Sequence, residues 1–394
     1  MKRKIELGTA IFLMMACTIL ACLITYTFIT SKMTTVFATV EKYSKLSQVE
    51  QIVASRYIMD SYDEMQAMDG ILKGFVAAAD PYGKYMDAAA YQQYQAETNG
   101  KYAGLGITVR YISSTGNMKV TKVNRGSSAD SVGVKAGDIV YKIDGVDVTT
   151  MSETDAQNLL KGKAGTTTVL SIYRNNESLE KEVTYSEYTA STVSYAVLDS
   201  KIGYIRFDAF DTNTASEFKK AYNSLVDEEI TSIIFDVRNN SGGTLESVCT
   251  ILDAVLPKGN IVTVTSKSGT KTSTIQSNSK QINLPIAVLI NENTYSGAEL
   301  FAAAIRDYKK GTLVGVKTFG KGVAQQIIPL GDQTAVYLST QLYYPPSGES
   351  FDGVGVSPDV QIAMSDEDLE NFYELTREED IQLQKAIETL ENKK

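Results

Sequence analysis

After residue 186 the chain alternates short apolar runs with amphipathic stretches: "IGYIRF", "TASEFKKAYNSLVDE", "ITSIIFDVR", "LESVCTILDAVL", "IVTVTS", "PIAVLI", "SGAELFAAAIRDYKK" and "GTLVGVKT". Strands that are apolar along their whole length need cover on both faces. Helices recurring between them therefore predict a largely parallel sheet with helices packed on it, an α/β core. In such sheets ligands sit beyond the carboxyl ends of the strands, where the loops gather. Those loops are where chemistry is sought.

Upstream the texture differs. From Gly100 to about Tyr185, runs such as "GITVRYI", "MKVTKV", "DIVYKIDG" and "TTVLSIYR" are separated by Gly, Asn and Asp turns, which predicts a small β module. One short helix is expected inside it, where Ser152 stands three residues before Asp155 ahead of apolar positions on one face. Residues 34–97 space their apolar positions by three and four and predict a helical arm, interrupted by the turn "DPYGKYM". The expected α+β multidomain order is a basic tip and anchor (1–33), the arm (34–97), the β module (98–186), the α/β core (187–365) and a closing helical segment (366–394). The arm and the closing helix, read as 366–392, would suit a homodimer.

Residues 7–30 carry no charge and follow the basic start "MKRK". A run of that length is expected to span a bilayer, with the remainder of the chain on the extracytoplasmic side by the positive-inside rule. Cleavage after Ala38 and lipidation at Cys22 are the rival readings, and all three export the rest. A formal net charge of −9 and the lack of a basic block interleaved with aromatics argue against nucleic acid as a partner. With no histidine and only three cysteines, Cys17, Cys22 and Cys249, a structural zinc site is not expected. Two of the cysteines lie in the N-terminal apolar run, so no internal disulfide framework is expected either.

Two strand ends carry candidate chemistry. "FDVRNNSGG", residues 235–243, places consecutive glycines between a strand and a helix, where free N–H groups suit an anion or a developing oxyanion. By itself it reads first as a turn using Asn and Gly for unusual backbone angles. "NENTYSGAE", residues 291–299, puts Ser296 at the next strand-to-helix turn, with Gly297 after it and Glu299 three residues on. That is a capping box in outline and also the place of a nucleophile.

Without histidine, a base for Ser296 must come from Asp, Glu, Lys, Tyr or Cys. The best candidate is "TFGKGVAQ", residues 318–325, where Lys321 lies between two glycines and Gln325 follows on the same side. A lysine accepts a proton only when neutral, so burial must bring its pKa down from ~10.4 towards neutrality. Read alone, "GKG" is a solvated lysine in a glycine turn. In the β module, "YAGLGITV" offers a loop at Gly104, Leu105, Gly106 and Ile107 whose N–H groups could hold a peptide carboxylate while the peptide adds a strand to the sheet edge.

Together these segments resemble the C-terminal processing peptidases, the tail-specific serine proteases with an embedded PDZ domain. "DPYGKYM" is similar to the family's Asp-Pro-Tyr element, and "GLGI" with "GSSADSVGVKAGDIVYKIDG" to its PDZ domain. "DVRNNSGG", "NENTYSGAE" and "TFGKGVAQ" are similar to its three catalytic segments, and "PPSGESFDGVGVSPDV" to its closing segment. The resemblance implies a crotonase/Clp-like alternating αβ protease core with an inserted PDZ, no cofactor and no metal. It implies Ser296 as nucleophile, Lys321 as general base, Gln325 as the residue positioning the lysine, and an oxyanion hole from Gly242 or Gly243 with Gly297. Substrates would be proteins or peptides with an exposed apolar C-terminus held by the PDZ. The chain departs from the family pattern at Gly83, Ser241 and Gly297, where Ser or Thr, Pro and Ala are usual. A catalytically silent PDZ tail-binding protein would be expected to lack the serine or the lysine. A crotonase-like acyl-CoA enzyme would lack the PDZ and the apolar N-terminal run.

Overall fold

The structure is a computed structural model that describes residues 7–59, 61–278 and 280–392. The chain divides into two compact units, Met1–Ile71 and Leu72–Lys394. The first holds α1 (Leu7–Arg56), one unbroken helix, and the start of α2 (Glu64–Ala79). Residues 7–30 lie on α1, yet among the described residues no helix is long and apolar enough to cross a membrane. The expected transmembrane span therefore gains no support from the structure, and the basic tip, residues 1–4, lies outside the described residues.

In the second unit, β1 (Lys84–Met86) and α3 (Ala88–Thr98) follow α2, and Asp87 caps α3 by accepting the Ala90 N–H at 2.9 Å. The ribbon strand β2 (Lys101–Gly104) leads into the PDZ-like module. Its sheet contains β3 (Ile107–Ile112), β4 (Asn117–Val123), β5 (Ile139–Ile143), β6 (Val146–Asp147), β7 (Thr167–Arg174) and β8 (Glu177–Thr184). All pairings are antiparallel, in the order β3-β4-β5-β7-β8 with β6 on β5, and α4 (Ser128–Ser131) and α5 (Glu153–Leu159) complete the module. Asn175 and Asn176 both adopt positive φ between β7 and β8, which is the two-residue hairpin turn that matches strand twist. Met118, Val120, Val140, Leu170 and Ile172 form its fully buried centre. β9 (Ser186–Thr189) returns to pair with β2.

The core sheet runs β10 (Val193–Leu198), β11 (Ile202–Phe207), β12 (Ser232–Asp236), β15 (Ile286–Ile290), β16 (Gly311–Gly315) and β19 (Val360–Gln361), parallel throughout except for edge strand β10. Side chains alternate between its faces with the strand period of two. Ile233, Phe235, Ile286 and Val288 pack with α6 (Thr214–Asp227), α7 (Leu245–Val255) and α8 (Gly297–Asp307). Ile234, Ala287 and Leu289 pack against Leu383, Ala386 and Leu390 of α10 (Ile381–Glu391). Both faces are covered, as the apolar runs required.

Three expectations are corrected. "IVTVTS" does not enter the parallel sheet: β13 (Gly259–Ser266) turns directly into β14 (Lys271–Ser277), and a tight turn between adjacent strands forces antiparallel pairing. Those strands form a second sheet with β17 (Val323–Pro329) and β18 (Ala335–Tyr344). The end of the arm is built into that sheet, because β1 pairs with β18 in the register Lys84↔Tyr337. The closing segment is not one helix but α9 (Asp366–Glu370) and α10, separated where Phe372 and Tyr373 cover buried arginines.

Candidate active site

Ser296, Lys321 and the Gly242–Gly243 turn arise from the carboxyl ends of three adjacent parallel strands, β15, β16 and β12. Register brings these ends level, with Asp236 opposite Leu289 and Ile290 opposite Gly315. The loops are then stitched to one another. Thr294 Oγ1 donates to the Val237 carbonyl at 2.8 Å, the Tyr295 N–H to the Asn240 carbonyl at 3.1 Å, and the Phe319 N–H to the Thr294 carbonyl at 3.1 Å. Six of the ten residues singled out by sequence, Ser296, Lys321, Gln325, Gly242, Gly243 and Gly297, are gathered in this way.

Ser296 sits at φ 59°, ψ −121°, a backbone region ordinarily left to glycine. Strain of this kind costs on the order of 1–3 kcal/mol and persists only where neighbours hold it. Glu299 supplies the hold. Its fully buried carboxylate accepts the Ser296 N–H at 2.9 Å, the Lys321 N–H at 2.7 Å, the Gly320 N–H at 2.7 Å and the Thr318 hydroxyl at 2.5 Å. Burial pushes the Glu299 pKa up, and these donors offset part of that rise. Sequence reading saw only the capping box here. Nothing in the local pattern shows that the N3 glutamate also reaches residues 318–321.

Lys321 is half-buried, and its Nζ donates to Gln325 Oε1 at 2.5 Å. Gln325 Nε2 donates in turn to the Tyr82 carbonyl at 2.7 Å, which fixes which way the amide faces. The lysine Nζ lies 5.0 Å from the centre of the Tyr82 ring and 5.7 Å from that of Tyr295. Burial lowers its pKa, helped by the nearby Lys84, while Asp80 and Glu299 pull the other way. Among the described residues no hydrogen bond joins Ser296 Oγ to Lys321 Nζ. Both line one cavity of about 610 Å³ together with Tyr102, Tyr337 and Tyr343.

Gly242 and Gly243 are required as glycines. Both hold positive φ, and a Cβ on the first would lie 2.8 Å from the Gly297 nitrogen, one on the second 2.1 Å from the Phe210 carbonyl oxygen. Their N–H groups differ. That of Gly242 donates to Asn240 Oδ1 at 2.7 Å, whereas the N–H groups of Gly243 and Gly297 make no hydrogen bond within the described residues. A Cβ built on Gly297 would lie 3.6 Å from the Gly243 nitrogen, so the two glycines are close neighbours beside Ser296.

Gly104, Leu105, Gly106 and Ile107 lie elsewhere, where β2 passes into β3. None lines the serine's cavity. Leu105 is buried in the module's core, so only its backbone can face a ligand. β3 pairs with β4 alone and leaves its other edge open among the described residues. Tyr111 of that strand donates its hydroxyl to the Met151 carbonyl at 2.7 Å, just ahead of α5.

A strained serine and a half-buried lysine lining one cavity with the Gly242–Gly243 turn, in a chain with a PDZ-like module, fit a serine peptidase. Comparison with known proteins agrees. Models of peptidase family S41 and of the PDZ domain match residues 201–362 and 93–172. The carboxy-terminal-processing protease of Bartonella bacilliformis is 30% identical over 334 residues, covering 82% of this chain and 76% of the relative. The carboxy-terminal processing protease CtpA of Bacillus subtilis is 29% identical over 328 residues, 82% and 70% of the two chains. Among solved structures, the photosystem II D1 C-terminal processing protease superposes with a TM-score of 0.51 at 25% identity, covering 80% of this chain and 86% of that one. An S41-assigned protein of Bacteroides fragilis shares the fold, with a TM-score of 0.64 at 17% identity over 86% of this chain and 93% of that one. The chain belongs to peptidase family S41, as a serine-type carboxyl-terminal-processing peptidase with a PDZ domain.

Proposed function

We propose that this chain cleaves proteins bearing an exposed apolar C-terminal tail by a Ser296–Lys321–Gln325 mechanism. The tail adds as a strand to the open edge of β3, its carboxylate facing the backbone of residues 104–107, and the chain upstream enters the tyrosine-lined cavity. Neutral Lys321 takes the Ser296 hydroxyl proton as Oγ attacks the scissile carbonyl carbon. The N–H groups of Gly243 and Gly297 receive the developing oxyanion. The C–N bond then breaks, Lys321 returns its proton to the leaving amine, and water hydrolyses the acyl-enzyme ester.

The observation that carries this reading is the lysine's setting: Nζ is oriented by Gln325 and partly desolvated, which lowers its pKa in the direction a neutral base requires. Placement outside the cytoplasm is part of the proposal and rests on the uncharged run 7–30 behind "MKRK". The test expresses the full chain as wild type, Ser296→Ala and Lys321→Ala, and supplies an unfolded protein with an apolar tail. Each variant is expected to lose at least about 10³-fold in kcat/KM. Cleavage by Ser296→Ala at the wild-type rate would assign the chemistry to another site.

A further inference from the structure

The element "DPYGKYM" has no role in the mechanism above, although it lies against the mechanism's base. Its turn is fixed from two sides. Asp80 Oδ1 accepts the Tyr82 N–H at 3.0 Å, and Oδ2 accepts the Ser339 N–H of β18 at 2.7 Å. The chain then continues into β1, whose register with β18 locks the turn to the protease sheet. Gly83 follows with little free space, since a Cβ there would come 2.9 Å from Asp80 Cβ and 3.0 Å from Val76 Cγ1.

Held in this way, Tyr82 meets the base twice. Its carbonyl accepts Gln325 Nε2 at 2.7 Å, which leaves Oε1 as the atom facing Lys321. Its ring covers the lysine Nζ at 5.0 Å and stands edge-on to Phe319 at 6.4 Å, while Phe319 packs on Tyr295 at 5.6 Å. Tyr82 and Tyr295 thus face the amine, with Phe319 packed against both rings.

We infer that Tyr82 is a positioning residue for catalysis: its carbonyl sets the Gln325 amide that orients Lys321, and its ring is the removable wall that keeps water from the lysine's amine. This rests on Lys321 being the base. The ring acts against a defined electrostatic background. Lys84 of β1 opposes a charge on Lys321, whereas Asp80 of the turn and Glu299 of α8 favour it. Tyr82→Ala alters none of these charges and admits solvent to the amine, which favours the protonated form. A base that must be neutral is then available only at higher pH.

The experiment measures kcat/KM from pH 5.5 to 10 on a tailed peptide for wild type, Tyr82→Phe, Tyr82→Leu, Tyr82→Ala and Lys321→Ala, with a melting curve for each. Tyr82→Phe keeps the ring and the carbonyl and is expected to overlay wild type. Tyr82→Ala is expected to be about tenfold slower at pH 7 and to recover most of that loss by pH 9.5, its acid limb moved to higher pH. Tyr82→Leu keeps apolar volume and should stay folded where alanine fails, with a smaller shift in the same direction, about threefold slower at pH 7. A loss equal at every pH with the acid limb in place, or no loss in either Leu or Ala, overturns the inference and leaves a structural role only. Activity in Lys321→Ala would instead overturn the underlying reading of the base. An inactive Lys321→Ala beside an unmoved acid limb in the Tyr82 variants sinks this inference alone.

Discussion

Asp236, at the end of β12, and Glu299, in the first turn of α8, are both fully buried carboxylates, and the protein treats them in opposite ways. Burial pushes the Asp236 pKa up, but Arg238 and Arg206 outweigh it and hold the group down at about 2. Arg238 Nη2 lies 2.7 Å from Asp236 Oδ2 and 2.7 Å from Asp380 Oδ2, and Arg206 Nη1 reaches Asp236 Oδ2 at 3.3 Å. Among the described residues Glu299 forms no ion pair. Its four partners are neutral N–H and O–H donors, and its pKa is raised. The ionic cluster stiffens the strand end that feeds the oxyanion turn. The cation-free cluster stiffens the serine and lysine loops without setting a strong ion pair beside the amine that the proposed mechanism needs neutral. Consistent with that, Glu299 is only a minor pull on Lys321, behind burial and Lys84.

The largest expected effect comes from breaking the ionic side. Arg238→Met strips Asp380 of its cation and leaves Asp236 with Arg206 and the Tyr204 hydroxyl alone, and removing one partner of a buried pair costs about 3–5 kcal/mol. Urea unfolding of the variant should show a loss of that size. Retention of wild-type stability to within about 1 kcal/mol would mean that the cluster contributes little beyond filling space.

Glu299→Gln breaks the other side and separates the two designs more finely. The amide keeps one acceptor oxygen and turns an NH₂ group towards donors, so at least one N–H loses its partner, at about 1–3 kcal/mol of stability. Misplacing the loops of Ser296 and Lys321 is expected to lower kcat/KM by about 10²-fold. The pH profile carries the sign. The Glu299 charge raises the Lys321 pKa; with glutamine the lysine becomes neutral at lower pH, so the acid limb moves down. This is the reverse of the shift expected for Tyr82→Ala. A limb that stays fixed or moves up would show that Glu299 acts on Lys321 by geometry alone.

How much of this was legible in sequence follows from the same contrast. The three candidate catalytic segments could be placed because strands β12, β15 and β16 have apolar centres that advertise their ends. The second sheet was not read: β14, β17 and β18 are half-buried runs such as "TSTIQ" and "LSTQL", which carry little of the apolar signal that marks a core strand. Nor was it legible which of Gly242 and Gly243 keeps an unbonded N–H. Among the described residues the Asn240 side chain takes the first glycine's N–H and none takes the second's. Glu299 was visible as a capping residue and invisible as a hub, because its partners at 318–321 become neighbours only once β16 lies beside β15. The break between α9 and α10 likewise reflects a tertiary cause, the stacking of Phe372 over Arg238 at 4.8 Å.

The smallest effect is expected at the seam between the two regions. Gly297 opens α8 directly after Ser296, and a Cβ there would meet Val248 Cγ2 of α7, the helix that follows the oxyanion turn, at 3.1 Å. That is tighter than an ordinary contact, so alanine is accommodated only if Val248 gives by a few tenths of an ångström. Against this, alanine restrains the chain better than glycine at the start of a helix, by a fraction of about 1 kcal/mol. The two terms oppose, and Gly297→Ala is expected to change stability by less than about 1 kcal/mol and kcat/KM by less than about threefold. The backbone N–H of residue 297, the proposed oxyanion donor, is kept by the substitution. A loss of tenfold or more in kcat with KM unaltered would show that the seam does not yield: the cluster behind Asp236 and the cluster around Glu299 would then be in rigid contact through residue 297. Shortening Val248 to alanine in the same chain should restore the rate if that contact is the cause.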